Sequence, residues 1–346
     1  MPIRSTHKTD PYYDRFSNSG DVAQSPYPWI FPFGDRGLFL GGFGGSPQQD
    51  RDDIGYLNIT TTGDAADFGS LVAGNQKIQG CSNAERGVVG GGSDSPNNII
   101  QYNTIATLGN STDFGDLTQA RIGVCAGASK TRGVFAGGAP ASPGSVPGSN
   151  GETTIDYITF NTTGDATDFG DLPYSRNGMY GSSNGTIMYM LGGDNGDEAD
   201  DMAYLNIATT GNASDMWGRL DPSGSLGNKA YGGAASDATR MIIAGGRSNQ
   251  PGPAGHRVEM IEYYDYGTNN NTSDFGDLVQ ANYFCTGTTS NSTRALISGG
   301  DAGGSLRSYI YYITFQTTGD ATDFGDLYGD GSDGRRGLHA AYSGQA

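Results

Sequence analysis

Apolar residues along this chain come in short runs, and between the runs stand glycine, asparagine, aspartate and threonine. Residues 154–161 (TIDYITFN) alternate: Ile155, Tyr157 and Thr159 fall on one side, Asp156, Ile158 and Phe160 on the other. A period of two residues predicts a strand with two distinct faces. Upstream lie a short apolar run at 132–138 (RGVFAGG) and a segment of small residues at 121–128 (RIGVCAGA). Downstream, Thr162-Thr163-Gly164-Asp165 reads as a tight hairpin turn leading into 166–172 (ATDFGDL). The pattern therefore predicts four antiparallel strands, a to d in chain order, with a Gly-Gly doublet closing strand b.

That unit repeats. T-D-F-G-D-L, unchanged or with small changes, occurs six times, centred on Phe68, Phe114, Phe169, Met216, Phe275 and Phe324. A tyrosine lies 12 residues ahead of each: Tyr56, Tyr102, Tyr157, Tyr204, Tyr263 and Tyr312. A Gly-Gly doublet ends at Gly42, Gly92, Gly138, Gly193, Gly246 and Gly300. The outer two phenylalanines are 256 residues apart over five intervals, about 51 residues per repeat. A period of that length means a supersecondary unit that buries its faces against copies of itself. Strands b, c and d are present in all copies, but strand a is missing before the first. The tail at 337–344 (GLHAAYSG) resembles a solitary strand a and can close the ring.

Two segments follow: an arm at 1–35 and a single repeat domain at 36–346. The arm holds Tyr12, Tyr13, Tyr27, Trp29, Phe31 and Phe33, a mixture with proline that is too apolar for a free tail and predicts docking on another surface.

Composition narrows the function. Glycine is high at 58 of 346 residues and charged residues are few at 16%, as expected for short strands and many turns. A net charge of −17 repels phosphate backbones, so nucleic acid is an unlikely partner. No apolar run after Met1 resembles a signal peptide, and no stretch approaches the roughly 20 apolar residues of a membrane span. Cys81, Cys125 and Cys285 occupy the same segment of different repeats, which predicts buried thiols too far apart for disulfides.

Four strands per repeat, a Gly-Gly after the second and aromatics in the third and fourth resemble the kelch repeat. The resemblance covers about 310 residues and implies an all-β, six-bladed β-propeller with four-stranded blades, blade one being shared by both ends of the chain. The fourth-strand aromatic is Phe where kelch repeats carry Trp; the tryptophan near that position is Trp217, beside Met216. Each Tyr–Phe pair is expected between neighbouring blades. Arg36, Arg86, Arg132, Arg240 and Arg294, six residues before the second Gly, are expected to ion-pair with the acidic c–d turn, for example Asp165 and Asp168.

Catalytic residues should break the repeat. The histidines are His7, His256 and His339, without metal-ligand spacing, and no G-x-S-x-G elbow is present. The expectation is no enzyme activity and no cofactor. Asp165, Asp168 and Asp171 recur at turn positions where aspartate serves local hydrogen bonding, and the EF-hand spacing is absent. The dense acidic segment 194–201 (DNGDEADD) is the better candidate for calcium, against a solvated loop.

Binding is expected where the repeat varies. The c–d spacing is constant, whereas from the second Gly to the Tyr there are 10 residues in repeat two and 19 in repeat three. Propeller connectivity puts b–c and d–a loops on one face, which then carries 139–151, 194–201 and 247–257. The candidate contact residues are Asp194, Asn195, Asp197, Tyr174, Arg176, Arg219, Arg247, Asn249, His256 and Arg257.

The consensus I-x-Y-I-T-F-x-T-T-G-D-A-T-D-F-G-D-L is similar to kelch-type proteins of tailed phages of marine cyanobacteria. That resemblance implies a virion structural protein of the tail or its fibres, synthesised in the host cytoplasm. Its arm would bind other virion proteins, and its variable face would contact a cell-surface polysaccharide or a partner. A homo-oligomer is compatible with this. Two alternatives stay open: a capsid decoration or tail adaptor without ligand, and a polysaccharide-active enzyme.

Overall fold

A computed structural model describes residues 34–44, 49–93, 97–141, 151–196, 199–216, 218–220, 228–252, 255–268, 271–284, 287–302, 305–329 and 339–344. The six aromatic residues of the predicted arm, together with His7, Asp197, Trp217 and Cys285, lie outside the described residues.

Every regular element among the described residues is a strand, and the four-stranded sheets stand as six blades of a β-propeller. Strand a, innermost, is Gln79–Ser82, Cys125–Ala128, Tyr180–Ser183, Gly233–Ser236 and Gly287–Ser290 in blades two to six. Strand b is Arg36–Leu40, Arg86–Gly90, Arg132–Ala136, Ile187–Leu191, Arg240–Ala244 and Arg294–Ser298. Strand c is Asp53–Asn58, Ile99–Thr104, Glu152–Thr159, Met202–Asn206, Gly255–Asp265 and Tyr309–Thr314. Strand d is Ala66–Ser70, Thr112–Asp116, Thr167–Arg176, Ser214–Met216, Ser273–Asn282 and Thr322–Asp326.

Blade one takes its strand a from the other end of the chain: Ala340–Gly344 pairs antiparallel with strand b, from Arg36↔Gly344 to Leu40↔Ala340. In blade three, strand a begins four residues later than the pattern predicts. Arg121 and Ile122 leave it to pair with Ala139 and Pro140 of the b–c segment. This pairing, like the Asn177↔Asp194 and Tyr283↔Asp301 bridges, places d–a and b–c segments on one face, as expected.

The core lies between blades. Each of six hydrophobic clusters joins neighbouring blades, because alternate side chains of each strand reach opposite sides of a radial sheet. Phe169, Ile155 and Val134 of blade three, for instance, meet Met188, Leu205 and Ile207 of blade four. The Tyr–Phe pairs stand edge-to-face at these seams, with ring centroids 5.9–6.2 Å apart in five blades.

The polar half of the motif latches each seam. Gly211 N–H and Ala213 N–H of one blade's c–d turn donate to the Phe169 and Asp171 carbonyls of the blade before. The Asp171 N–H donates in return to Asn212 Oδ1, at 3.1 Å. The same return bond joins Asp326 to Asp64, Ser70 to Asn110, Asp116 to Asp165, Arg219 to Asn271 and Asp277 to Asp320, at 3.0–3.1 Å. Every seam thus carries it. The glycine of F-G sits in a β-bulge at this close approach: Gly170 has φ +145°, and a Cβ there would lie 2.5 Å from the Gly211 carbonyl oxygen. In blade four, Arg219 fills the place of Asp171, so the latch is one residue further from Tyr204 than the constant spacing implies.

The repeated arginines differ from expectation. Each guanidinium lies over the tyrosine of its own blade, 4.4–5.0 Å from the ring centroid. From there it donates to carbonyls, not carboxylates, of the next blade's c–d turn, as Arg132 does to Ile207 O and Ala208 O at 3.1 and 3.0 Å. Among the described residues, Arg240 alone of the five also meets a carboxylate, Asp265, at the end of strand c. The turn carbonyls are unmatched acceptors and the tyrosine face a closer partner, so the acidic residues of the turn are left to the latch. Blade four carries Ile187 in the arginine's place. Its seam is filled by Tyr189, stacked on Tyr266 at 4.7 Å with Tyr264 beside them.

Around the axis, strand a has a free edge whose carbonyls need donors. Serines of the following blade supply them. Ser82 donates to Ser343 O, Ser343 to Ser290 O, Ser290 to Ser236 O, Ser236 to Ser183 O and Ser183 to Ala128 O. The belt is open at one place, where Ala128 stands in line with the serines. It walls a central cavity of about 80 Å³.

Candidate functional site

Once the latches, clamps and belt are assigned, the polar side chains that follow no repeat lie on the b–c and d–a face. The candidates from the sequence fall into three groups there.

The first group joins Tyr174, Arg176 and Arg219 through Asp200 and Asp201, the last two carboxylates of the acidic segment 194–201. Arg176 pairs with Asp201 at 2.9 Å, and Arg219 with Asp200 and Asp201 at 2.9 and 2.6 Å. The Arg176 guanidinium lies 5.0 Å from the Tyr174 ring centroid. Burial, followed by the charges of Asp201 and Asp215, pushes the Tyr174 phenol up, so it stays a neutral hydroxyl. Arg219 is half exposed, and its guanidinium is held further in its charged form by Asp200. Through these three pairs, two of the five carboxylates of the 194–201 segment, Asp200 and Asp201, are neutralised. Among the described residues, no group of three or more His, Cys, Asp or Glu is arranged to hold a metal ion.

The second group is interior. Asp194 is 2% exposed; its Oδ1 accepts the Gly196 N–H at 2.7 Å, and its Oδ2 accepts the Tyr231 hydroxyl at 3.1 Å. Tyr231 also donates to Asn177 Oδ1. Burial and Asp194 together raise the Tyr231 phenol. Asn195 is outermost here, donating to Ser175 Oγ at 3.0 Å and accepting the Gly151 N–H at 3.1 Å. It ties the b–c segments of blades three and four together.

The third group is built on the long hairpin of blade five, in which Arg247–Gly252 pairs with an extended strand c. Arg247 stands opposite Arg257. Arg257 reaches across the seam to Asp301 Oδ1 at 2.8 Å. Asn249 exchanges bonds with Asn228 at 3.1 and 3.2 Å, fixing the hairpin to the d–a segment. His256 Nδ1 lies 2.8 Å from Ser248 O, within the same hairpin.

Sequence reasoning missed Tyr231, Tyr283, Phe284 and Lys77, which surround the channel mouth between these groups. Their signal was present: Lys77, Tyr231 and Phe284 occupy the position that is Gly123 and Gly178 in other repeats, and Tyr283 precedes it. Buried ion pairs fill two further d–a positions, Arg121–Asp156 at 2.6 Å and Lys229–Glu262, all with side chains at most 2% exposed. Burial lowers the Arg121 guanidinium, and Asp156 opposes that. Asp156 is also bonded by Thr118 Oγ1 at 2.6 Å, and Glu262 by Thr272 Oγ1 at 2.6 Å. Such buried, ion-paired side chains fix the loop base and are not open to ligand.

His339, in the clasp, is buried with Nε2 2.9 Å from Ser298 Oγ. Cys81 and Cys125 are free and buried, and burial pushes both thiols up to about 12, far from the thiolate that nucleophilic chemistry needs. The chain matches no protein-family model and no curated protein.

Proposed function

We propose that this propeller is a non-catalytic binding ring of the kelch type, a structural protein of a tailed-phage virion. In this reading the b–c and d–a face contacts a host-surface glycan or a partner virion protein, and the arm at 1–35 attaches the ring to the tail or its fibres. The observation that carries the binding face is its asymmetry. The c–d side repeats the same bonds from blade to blade, while each blade's b–c segment is built differently. The half-buried and exposed arginines and asparagines of those segments, with the tyrosines of the d–a side such as Tyr174 and Tyr283, offer hydrogen-bond donors and flat ring faces, the chemistry of polar-ligand recognition. The virion setting is carried by the likeness of the repeat consensus to phage kelch-type proteins. The non-catalytic reading is favoured because the described histidines and cysteines are engaged in packing or backbone bonding.

A cryo-EM map of the intact particle tests this. A six-bladed disc on the tail, loop face outward, is the expected result. A disc whose loop face is buried against the capsid would make it an assembly component, and a particle without the disc would overturn the virion setting. Deleting residues 1–35 should leave folded rings that no longer join the particle.

A further inference from the structure

Five of the six blades hold an arginine in the same cage. The guanidinium lies 4.4–5.0 Å from the ring centroid of its own blade's tyrosine. It donates to carbonyls where the next blade's c–d turn begins, and Arg36, Arg132 and Arg294 each reach two successive carbonyls at 2.9–3.3 Å. Among the described residues, four of the five arginines meet no carboxylate there. A tyrosine face and a pair of carbonyl dipoles are therefore enough to hold a guanidinium at this rim.

The seam of blades four and five has the cage without its arginine. Ile187 pairs with Asn206 and Tyr189 with Tyr204, in the register that pairs Arg132 with Thr159 and Val134 with Tyr157. Ile187 thus stands at the arginine position and has nothing to donate. Across the seam, the c–d turn of blade five is latched as elsewhere: Arg219 N–H donates to Asn271 Oδ1, and Thr272 N–H to Arg219 O, both at 3.0 Å. The carbonyls that correspond to those of Ile207 and Ala208 belong to Tyr266 and Gly267. Among the described residues, nothing donates to either. Tyrosines fill the interior of this seam, but Tyr204 stays outside their cluster, whereas the other five tyrosines of the repeat pack against theirs. Tyr204 is 38% exposed, and Met216 takes the place of the phenylalanine whose edge meets the ring elsewhere. The turn is open to approach, since a Cβ on Gly267 would meet nothing within 4 Å.

We infer that this open cage is a docking site for an arginine side chain presented by a partner protein. The five filled copies are its template: a flat guanidinium covers the tyrosine face and still has N–H groups for two carbonyls, which the compact ammonium of lysine does less well. The cage needs no counter-charge, as the four copies without a carboxylate show. The residues beside it that lie outside the described set, Trp217, Asn269 and Asn270, are uncharged. Arg240 of blade five is directed to the next seam, where it meets Asp265 and donates to Phe315 O. A chain of net charge −17 attracts a partner surface that carries cations. The cage lies on the side of the ring opposite the loop face and does not depend on what that face binds.

An NMR titration of the full chain with a blocked Gly-Arg-Gly peptide, read at the Tyr204 ring and the Gly267 amide, tests it. The same peptide with citrulline or lysine in the middle is the control. The arginine peptide should bind about fivefold more tightly than either. Tyr204→Leu removes the ring face at an exposed position; it should weaken the arginine peptide about fivefold and leave the fold intact. Ile187→Arg supplies the arginine from within and should block the peptide; if that variant does not fold, Tyr204→Leu alone decides. Equal affinity for the citrulline peptide, undiminished binding in Tyr204→Leu, or binding to a folded Ile187→Arg variant overturns the site. The arm carries Arg4, Lys8 and Arg15, and the titration is repeated with all three changed to Gln. Binding that appears only in that variant overturns the assignment to a partner, because the chain's own arm then holds the cage. No binding in either form overturns the site.

Discussion

On the c–d side of the ring, each turn returns the same bond to the blade before it, from Asp64 to Asp320, within 0.1 Å. On the opposite side, the third blade pairs Ala139 with Ile122, the fourth ties Asp194 to Asn177, and the fifth extends a hairpin from Arg247. One side is constrained at every blade by its neighbour. The other is fixed at its base by buried pairs such as Lys229–Glu262 and tied above it by bonds that differ from blade to blade, such as Asn195 to Gly151 and Arg257 to Asp301, so its outer residues vary without loosening the c–d latches. Substitutions should therefore separate cleanly, with stability carried by the clasp and latches and loop-face contacts by the loops.

The largest effect is expected at the clasp. Leu38, Phe39 and Leu40 are fully buried beneath Ala340–Gly344, and Tyr342, 4% exposed, reaches Asn103 Oδ1 at 3.0 Å in blade two. Tyr342→Ala should lower the unfolding free energy by about 4 kcal/mol, since it empties a packed seam and removes one of the two hydrogen bonds that Asn103 Oδ1 accepts. Denaturant unfolding measures this. By contrast Asn195→Ala on the loop face should move the midpoint by less than about 0.5 kcal/mol. Equal effects would mean that the loops brace the ring, and the division between the two sides would fail.

A glycine pair sharpens the same division within one seam. Gly170 and Gly164 both have φ near +150°, but a Cβ at Gly164 meets nothing within 4 Å, whereas one at Gly170 strikes the next blade's backbone. Gly164→Ala should cost about 1 kcal/mol for its backbone conformation alone. Gly170→Ala should cost about 3 kcal/mol, because the latch must also open. Thermal melts of both variants report the difference, and equal losses would show that the close approach is unimportant.

These residues also show what was legible beforehand. The strands and the ring closure follow from period-two alternation and the missing first strand, and the Tyr–Phe seams from their repeated spacing. The arginines were readable as repeated but not by partner, because a linear pattern does not tell a carbonyl from a carboxylate at a turn, nor which blade supplies it. The register at Arg219 was hidden for a related reason: the extra residue falls after Met216, beyond the constant spacing from Tyr204 to Met216 that marks the repeat. The Tyr231–Phe284 mouth was overlooked because attention went to loop length, while its mark was a large side chain where sister repeats have glycine.

The serine belt offers a gain. Ala128 stands in line with Ser82, Ser183, Ser236, Ser290 and Ser343, and a hydroxyl there would complete the circle to the Ser82 carbonyl. Ala128→Ser should raise stability by about 0.5–1 kcal/mol, read as a higher melting temperature. A loss would mean that the Ser82 carbonyl is already served by water in the central cavity.

The smallest effect is expected from charge on the latch itself. Asp165 accepts the Asp116 N–H through an oxygen that asparagine also has, and Asn110 and Asn212 already fill that role at other seams. The Asp116 carboxyl is raised, first by burial, then by Asp165 and by Asp113. A raised carboxyl binds its proton more tightly in the folded ring. Its contribution is therefore fully present below the ordinary aspartate range and is lost as pH rises through the folded value. Asp165→Asn removes the second cause and keeps the hydrogen bond. The variant should gain a few tenths of a kcal/mol at pH 7, and the gain should vanish near pH 3, where the raised Asp116 carboxyl is protonated and carries no charge to repel. Melting curves at both pH values decide it. A variant less stable at pH 7 would mean that the carboxylate charge strengthens the latch, and that the choice of Asp or Asn at each turn matters to the seam.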